Sequence, residues 1–170
     1  MINFSVITAS FNSENSIKKN IESVNKQKNV DIEHIFIDGG SIDKTIEIIK
    51  STSTKSPVLV IGEDTGIYDA LNIGIKKASG DLICILNSDD YFVDCDVLND
   101  VGSIFAQNQT DIVYSGIAYI NSKNKILGKW VPDKFYLGSF SDSWHPPHPG
   151  FFVRKKCYEE SGDFDLNFKI

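Results

Sequence analysis

The sequence predicts an α/β fold with a mostly parallel central sheet flanked by helices. Two observations carry that prediction. Through the first half of the chain, short apolar runs alternate with segments whose apolar residues recur at helical spacing. A parallel connection needs a crossover, and these helical segments supply it.

Residues 4–9 form the first predicted strand, which ends in the polar turn 10–15, rich in helix-capping residues. Ile17, Ile21 and Val24 then predict a helix over 16–26. A second strand, 32–37, ends at Asp38-Gly39-Gly40-Ser41 and leads to a helix with Ile42, Ile46 and Ile49 as its apolar stripe. Residues 58–61 are the third strand. The helix over 67–78 carries Ala70, Leu71, Ile73 and Ile75, and the fourth strand, 81–86, ends in Asn87-Ser88-Asp89-Asp90. A helix over 97–107 and a strand over 111–114 follow. Tyr119-Ile120-Asn121 and residues 126–130 form a hairpin around 122–125.

Ligands of such sheets bind outside the carboxyl ends of the strands. Here those ends carry Thr8-Ala9-Ser10, Asp38-Gly39-Gly40, Gly62-Glu63-Asp64 and the 87–90 stretch, so four polar loops converge on one rim. Adjacent carboxylates repel, and each raises the pKa of the other unless a cation joins them. Mg²⁺ and Mn²⁺ favour one or two carboxylates together with substrate phosphates and water. Asp89 and Asp90 therefore read as half of a metal site whose other half is a diphosphate, or as exposed residues of a strand-end turn, where Asp is common. Asp38 is positioned to accept from a base N–H or a ribose hydroxyl, with Gly39 and Gly40 letting a ligand come close to the backbone; a plain glycine turn into a helix is the alternative.

The chain has 170 residues and a formal net charge of −6, from 17 basic and 23 acidic side chains. One domain with its own core fits that length. The charge argues against nucleic acid as a partner, which calls for a basic footprint. Three cysteines, none in a C-x-x-C pair, fit a reducing compartment. With no secretory signal and no apolar stretch long enough for a bilayer, the expected location is the cytoplasm. There is no G-x-G-x-x-G after the first strand, no phosphate-binding P-loop, no H-E-x-x-H and no G-x-S-x-G. His145 and His148 fall short of the three or four protein ligands that zinc takes.

Four stretches in order, "SVITASFNSENSIKKNIESV", "IFIDGGSIDKT", "EDTGIYDALNIGIKKASGDLICILNSDD" and "HPPHPGFFVRKKCYEESGDFD", resemble the family 2 glycosyltransferases of the GT-A fold. The wording "GIYDALNIGIKKASGD" is similar to the bacterial branch that builds capsule, exopolysaccharide and lipopolysaccharide. The resemblance implies a metal-dependent, inverting transfer of sugar from a nucleoside-diphosphate sugar, UDP-sugar favoured, to a glycan or lipid-linked acceptor. It implies Thr8, Ala9, Ser10, Asn12, Asp38 and Gly39 around the nucleotide, and Asp64 and Asn72 bordering the donor. Asn87, Ser88 and Asp89 take the D-x-D position, with Asn87 in place of its first Asp, and Asp90 is an extra carboxylate. Asp89 and Asp90 would hold Mn²⁺ or Mg²⁺. By the same resemblance His148 falls on the acceptor side, where Arg154 starts the next helix. Apart from the resemblance, Trp144 and Trp130 could each stack a sugar ring or equally be core residues.

Residues 1–95 are then the nucleotide-donor half and 96–170 an acceptor half incomplete at its C-terminus. The acidic motif that supplies the general base in relatives is expected beyond Ile170, so the chain reads as part of a longer enzyme, with sugar transfer weak or absent in this portion. Missing helices would leave apolar surface that favours a homodimer. A lipid-linked acceptor would bring peripheral contact with the inner face of the membrane. Two other classes remain open at this stage: a nucleotidyltransferase, though the loop after the first strand lacks its glycines and basic residue, and a nucleotide-sugar-binding fragment without activity.

Overall fold

A computed structural model describes residues 2–54, 57–62 and 64–167. Glu63, predicted on the rim, and residues 168–170 lie outside the described residues. The first half runs β1 (Asn3–Ser10), α1 (Ile17–Asn25), β2 (Asp31–Asp38), α2 (Thr45–Thr52), β3 (Val58–Ile61), α3 (Ile67–Lys77) and β4 (Leu82–Ile85). The second runs α4 (Val97–Gln107), β5 (Ile112–Tyr114), β6 (Ile117–Ile120), β7 (Ile126–Trp130), β8 (Phe151–Arg154) and α5 (Lys155–Ser161).

The 6-stranded sheet has the order β3-β2-β1-β4-β8-β5, and β6 and β7 form a separate antiparallel pair. The β1–β2, β1–β4 and β2–β3 pairs are parallel, while β8 runs antiparallel to both β4 and β5. The mostly parallel sheet is therefore as predicted.

Strand periodicity sorts the core onto two faces. Phe4, Val6, Leu82 and Cys84 pack with Leu98, Val101 and Phe105 of α4 and with Val24 of α1. Ile7, Ile35, Ile37, Ile83 and Ile85 face the opposite way, onto Ala70, Leu71 and Ile75 of α3. Phe36 joins Ile17 and Ile21 of α1 and Ile49 of α2. Burying each such side chain is worth about 1.5–3 kcal/mol. No described helix is long and apolar enough to cross a membrane.

Two elements differ from the sequence reading. Ile42 is not part of the α2 stripe: it is 92% exposed, and the helix begins at Thr45. The Asp43 carboxylate accepts from the Thr45 N–H and hydroxyl, and the Asn12 Oδ1 accepts from the Ile42 N–H, so local hydrogen bonds hold 38–44 as a loop. Phe151-Phe152-Val153, for which the sequence predicted no element, is the strand β8, with Phe152 and Val153 buried between β4 and β5. Arg154 ends this strand, and α5 begins at Lys155.

The α3 helix reaches the sheet through Gly74. A Cβ built there would lie 2.4 Å from Ile7 Cγ2 of β1, a branched methyl in a fully buried side chain. Gly74→Ala should therefore lower unfolding free energy by about 1–3 kcal/mol through overpacking, despite Ala's roughly 1 kcal/mol advantage in a helix. Urea denaturation measures it; unchanged or raised stability would mean that α3 does not pack this closely.

Candidate functional site

Because β1 to β4 run parallel, their carboxyl ends open on one side of the sheet. A groove of 710 Å³ lies there. Seven of the predicted residues line it: Ala9, Ser10, Gly39, Asp64, Asn87, Ser88 and Asp89. It is also lined by residues that the sequence reading did not single out, including Phe11, Ser13, Thr65, Gly66 and Ile67. Phe11 is 63% exposed, an unusual state for a Phe beside a polar rim. Its place directly after the first strand end was the available signal.

The structure does not bring the remaining predicted side chains to the groove lining. Asp38 is fully buried; its carboxylate accepts from the Ser10 hydroxyl at 2.7 Å, from the Ser41 hydroxyl at 2.7 Å and from the Gly40 and Ser41 N–H groups at 3.1 and 2.6 Å. With both oxygens taken, it shapes the β2 loop, where Gly40 at φ +87° supplies the left-handed turn. Thr8 is also fully buried, and its hydroxyl donates to the Leu86 carbonyl at 2.8 Å. That leaves the hydroxyl to accept from His34 Nε2–H at 3.0 Å, so the Nδ1 of His34 carries the lone pair. Burial pushes the His34 pKa down to about 3, which keeps the ring neutral.

Asn12 ties the β1 loop to the β2 loop, its N–H donating to Ser41 Oγ and its Oδ1 accepting from the Ile42 N–H. Asn72 exchanges two hydrogen bonds with the Phe164 backbone, at 2.9 and 2.8 Å, and beside it Lys76 pairs with Asp163 at 2.8 Å. Both atoms of its amide thus dock the C-terminal segment onto α3.

The 87–90 turn is closed by the Asp90 N–H donating to the Asn87 carbonyl at 2.9 Å, and the Ser88 and Ser13 hydroxyls meet at 2.8 Å. Asp89 is exposed on the groove, whereas Asp90 is half-buried behind it and does not line it. Burial and then the charge of Asp89 push the Asp90 pKa up to about 6. Two further oxygens on this groove, Asn87 Oδ1 and Asp64 Oδ2, are buried without a hydrogen-bond partner.

Among the described residues there is no group of three or more His, Cys, Asp or Glu side chains placed to hold a metal. The protein offers two carboxylates and one amide oxygen. That donor set suits a hard divalent cation that takes its other ligands from phosphate and water, and the raised pKa of Asp90 is the cost that such a cation would relieve.

His148 and Trp144 lie elsewhere. His148 borders a second, apolar cavity of 390 Å³ with Phe151, Tyr158 and Phe164, and its ring stacks on Phe164. Trp144 packs edge-on against Tyr114, Phe135 and Phe140, and its indole N–H donates to the Asp133 carbonyl at 2.8 Å. Trp130 sits edge-on to His145.

The sequence profile described as "Glycosyl transferase family 2" matches residues 5–159, and the chain belongs to that family. It is similar to an uncharacterized glycosyltransferase of Mycobacterium tuberculosis, with 32% identity over 170 residues covering 98% of this chain and 64% of the relative. The chain thus spans about two thirds of that relative's length. Among solved structures it resembles Staphylococcus aureus TarS 1-349 in complex with UDP-GlcNAc, with TM-score 0.75 and 20% identity over 94% of this chain and 47% of that one. It also resembles the mannosyltransferase PcManGT of Pyrobaculum calidifontis in complex with GDP-Man and Mn²⁺, with TM-score 0.69 and 16% identity over 95% and 47% of the two chains. These two likenesses establish the GT-A fold.

The raised pKa of Asp90 gives a sign for pH dependence. Folding disfavours its charged form, so without metal its contribution turns unfavourable as pH rises from about 4 to about 6. His34 acts in the opposite sense: its depressed folded pKa costs stability as pH falls below 6.5. The diagnostic is therefore a difference. Asp90→Asn should gain thermal stability relative to the wild type between pH 4 and 6.5, and saturating Mn²⁺ should narrow the gap. Melting curves with the same separation at every pH would refute the shift.

Proposed function

We propose that the chain carries the donor site of a metal-dependent, inverting glycosyltransferase. It would transfer sugar from a nucleoside-diphosphate sugar, UDP-sugar favoured, to a glycan or lipid-linked acceptor in surface polysaccharide biosynthesis. The carrying observation is the 87–90 turn, whose Asn87, Ser88 and Asp89 line a groove at the carboxyl rim together with Asp64, with the oxygens Asn87 Oδ1 and Asp64 Oδ2 unpartnered. TarS bound to UDP-GlcNAc and PcManGT bound to GDP-Man and Mn²⁺, both of this fold, support the reading.

In this reading Asp89 and Asp90 hold Mn²⁺ or Mg²⁺, with Asn87 as a weaker neutral ligand. The cation, when bound, stabilises charge developing on the departing diphosphate. Ser10 and Gly39 border the nucleotide, and the free Oδ2 of Asp64 accepts from a hydroxyl or N–H of the donor. Phe11 offers an exposed ring face to a base. Asp38, Thr8 and Asn12 act one step back, by fixing the loops. Asp163 pairs with Lys76 and Asp165 accepts from Asn167, and neither lines the groove, so neither is assigned as the base that activates the acceptor.

Calorimetric titration of UDP, GDP and dTDP, each with and without Mn²⁺, tests the reading on the wild type and on Asp89→Ala. Mn²⁺ should tighten one nucleotide strongly, and Asp89→Ala should remove that gain while leaving the metal-free affinity unchanged. Equal binding with and without metal would sink the metal site. Pyrophosphate rather than nucleoside diphosphate as the released product would indicate nucleotidyl transfer instead.

A further inference from the structure

Asparagine is a poor residue for a helix interior, and burying its amide is costly unless hydrogen bonds compensate. Asn20 nevertheless sits in the middle of α1 with no exposure at all. Its Nδ2 lies 3.2 Å from the Leu86 carbonyl, 2.9 Å from the Asn87 carbonyl and 3.2 Å from the Asp90 carbonyl. Those three oxygens bracket Ser88 and Asp89. One side-chain amide thus gathers the backbone on both sides of Ser88 and Asp89, with Asp90 itself as one of its partners.

Two more buried polar residues follow it, Ser23 on α1 and Gln27 just past the end of the helix. The Ser23 hydroxyl donates to the Asn20 carbonyl at 2.8 Å and accepts from the Phe92 N–H at 3.1 Å. The Gln27 amide donates to the Asp94 carbonyl at 2.6 Å and accepts from the Leu98 N–H at 3.0 Å. Residues 20 and 23 on α1 and residue 27 just beyond its end therefore form a ladder that engages the segment from the end of β4 to the start of α4 rung by rung. All of these donors and acceptors are neutral. The ladder can hold the turn against the repulsion between its two carboxylates without adding a charge that would compete with a cation.

We infer that Asn20 is a positioning residue for the metal site, and that the Asn20–Ser23–Gln27 ladder pre-forms the turn carrying Asp89 and Asp90 before any ligand arrives. Asn20 is the rung that matters for the metal, because its contacts flank the carboxylates directly. Gln27 secures the far end of the segment and serves stability. The inference rests on the proposed metal site at Asp89 and Asp90.

The test compares Asn20→Ala with Gln27→Ala, two substitutions that each remove amide hydrogen bonds to the same segment. UDP affinity is measured with and without Mn²⁺, and melting temperature alongside. Asn20→Ala should cut the Mn²⁺-dependent gain by about tenfold, in the range seen when outer hydrogen-bond partners of metal ligands are lost, with metal-free UDP affinity unchanged. Gln27→Ala should lower the melting temperature and keep the full gain. A gain that survives Asn20→Ala, or that falls equally in Gln27→Ala, overturns the inference alone. No Mn²⁺ gain in the wild type overturns the metal site and the inference with it. A second measurement needs no variant: amide hydrogen exchange over 88–92 in the wild type. Protection already present without Mn²⁺ and UDP is the expected result, and protection gained only on adding them would refute pre-formation.

Discussion

The burial of β1 between two parallel neighbours is the constraint on which the rest of the molecule depends. It pairs with β2 along its whole length and with β4 over Phe4 to Ile7, and its residues 4–8 are fully buried. A strand enclosed on both faces and both edges leaves no water for its polar atoms. The hydroxyls of Thr8 and Ser10 must therefore find partners inside, and they find the Leu86 carbonyl, His34 and Asp38. Those bonds lock the ends of β1, β2 and β4 together, and the parallel pairing fixes that all these ends lie on one side. The groove is a consequence of the sheet before it is a property of any single loop.

Electrostatics then divides the labour between the inner and outer faces of this rim. Inside, the interactions are neutral or saturated: His34 is held uncharged, and Asp38 is wrapped in donors. Outside, Asp89 is exposed, and burial first and the charge of Asp89 second raise the pKa of its neighbour Asp90. A rigid, compensated inner layer lets an uncompensated pair of charges stand at the surface without loosening the sheet. Pre-organisation of this kind lowers the ordering cost that a ligand would otherwise meet.

Much of this was legible in the sequence, and the illegible parts share a cause. The strands and helices from β1 to β4 announce themselves by periodicity, because each must bury one stripe or two faces. Groove residues such as Ser10, Gly39 and Asp89 followed, since a strand end is a place that periodicity defines. Side-chain direction at those ends is not periodic. Thr8, Asp38 and Asn72 turned inward because specific partners at Leu86, Ser41 and Phe164 engage them, and those partners are distant in sequence or depend on loop shape. Ile42 continued the spacing of Ile46 and Ile49, yet the Asp43–Thr45 hydrogen bonds ended the helix first. The short β8, flanked by prolines and a glycine, gave no alternation to read and is defined only by the edges it fills.

That edge-filling has a consequence for how the molecule is made. The outer edge of β4 is completed by Phe152 and Val153, residues that emerge from the ribosome long after Ile83 and Cys84. At synthesis rates of about 5–20 residues per second, the nascent chain spends several seconds with β1 to β4 complete and a hydrophobic strand edge open. An open edge of this kind is a template for pairing with other chains. During that interval the chain carries an aggregation liability that the finished sheet conceals.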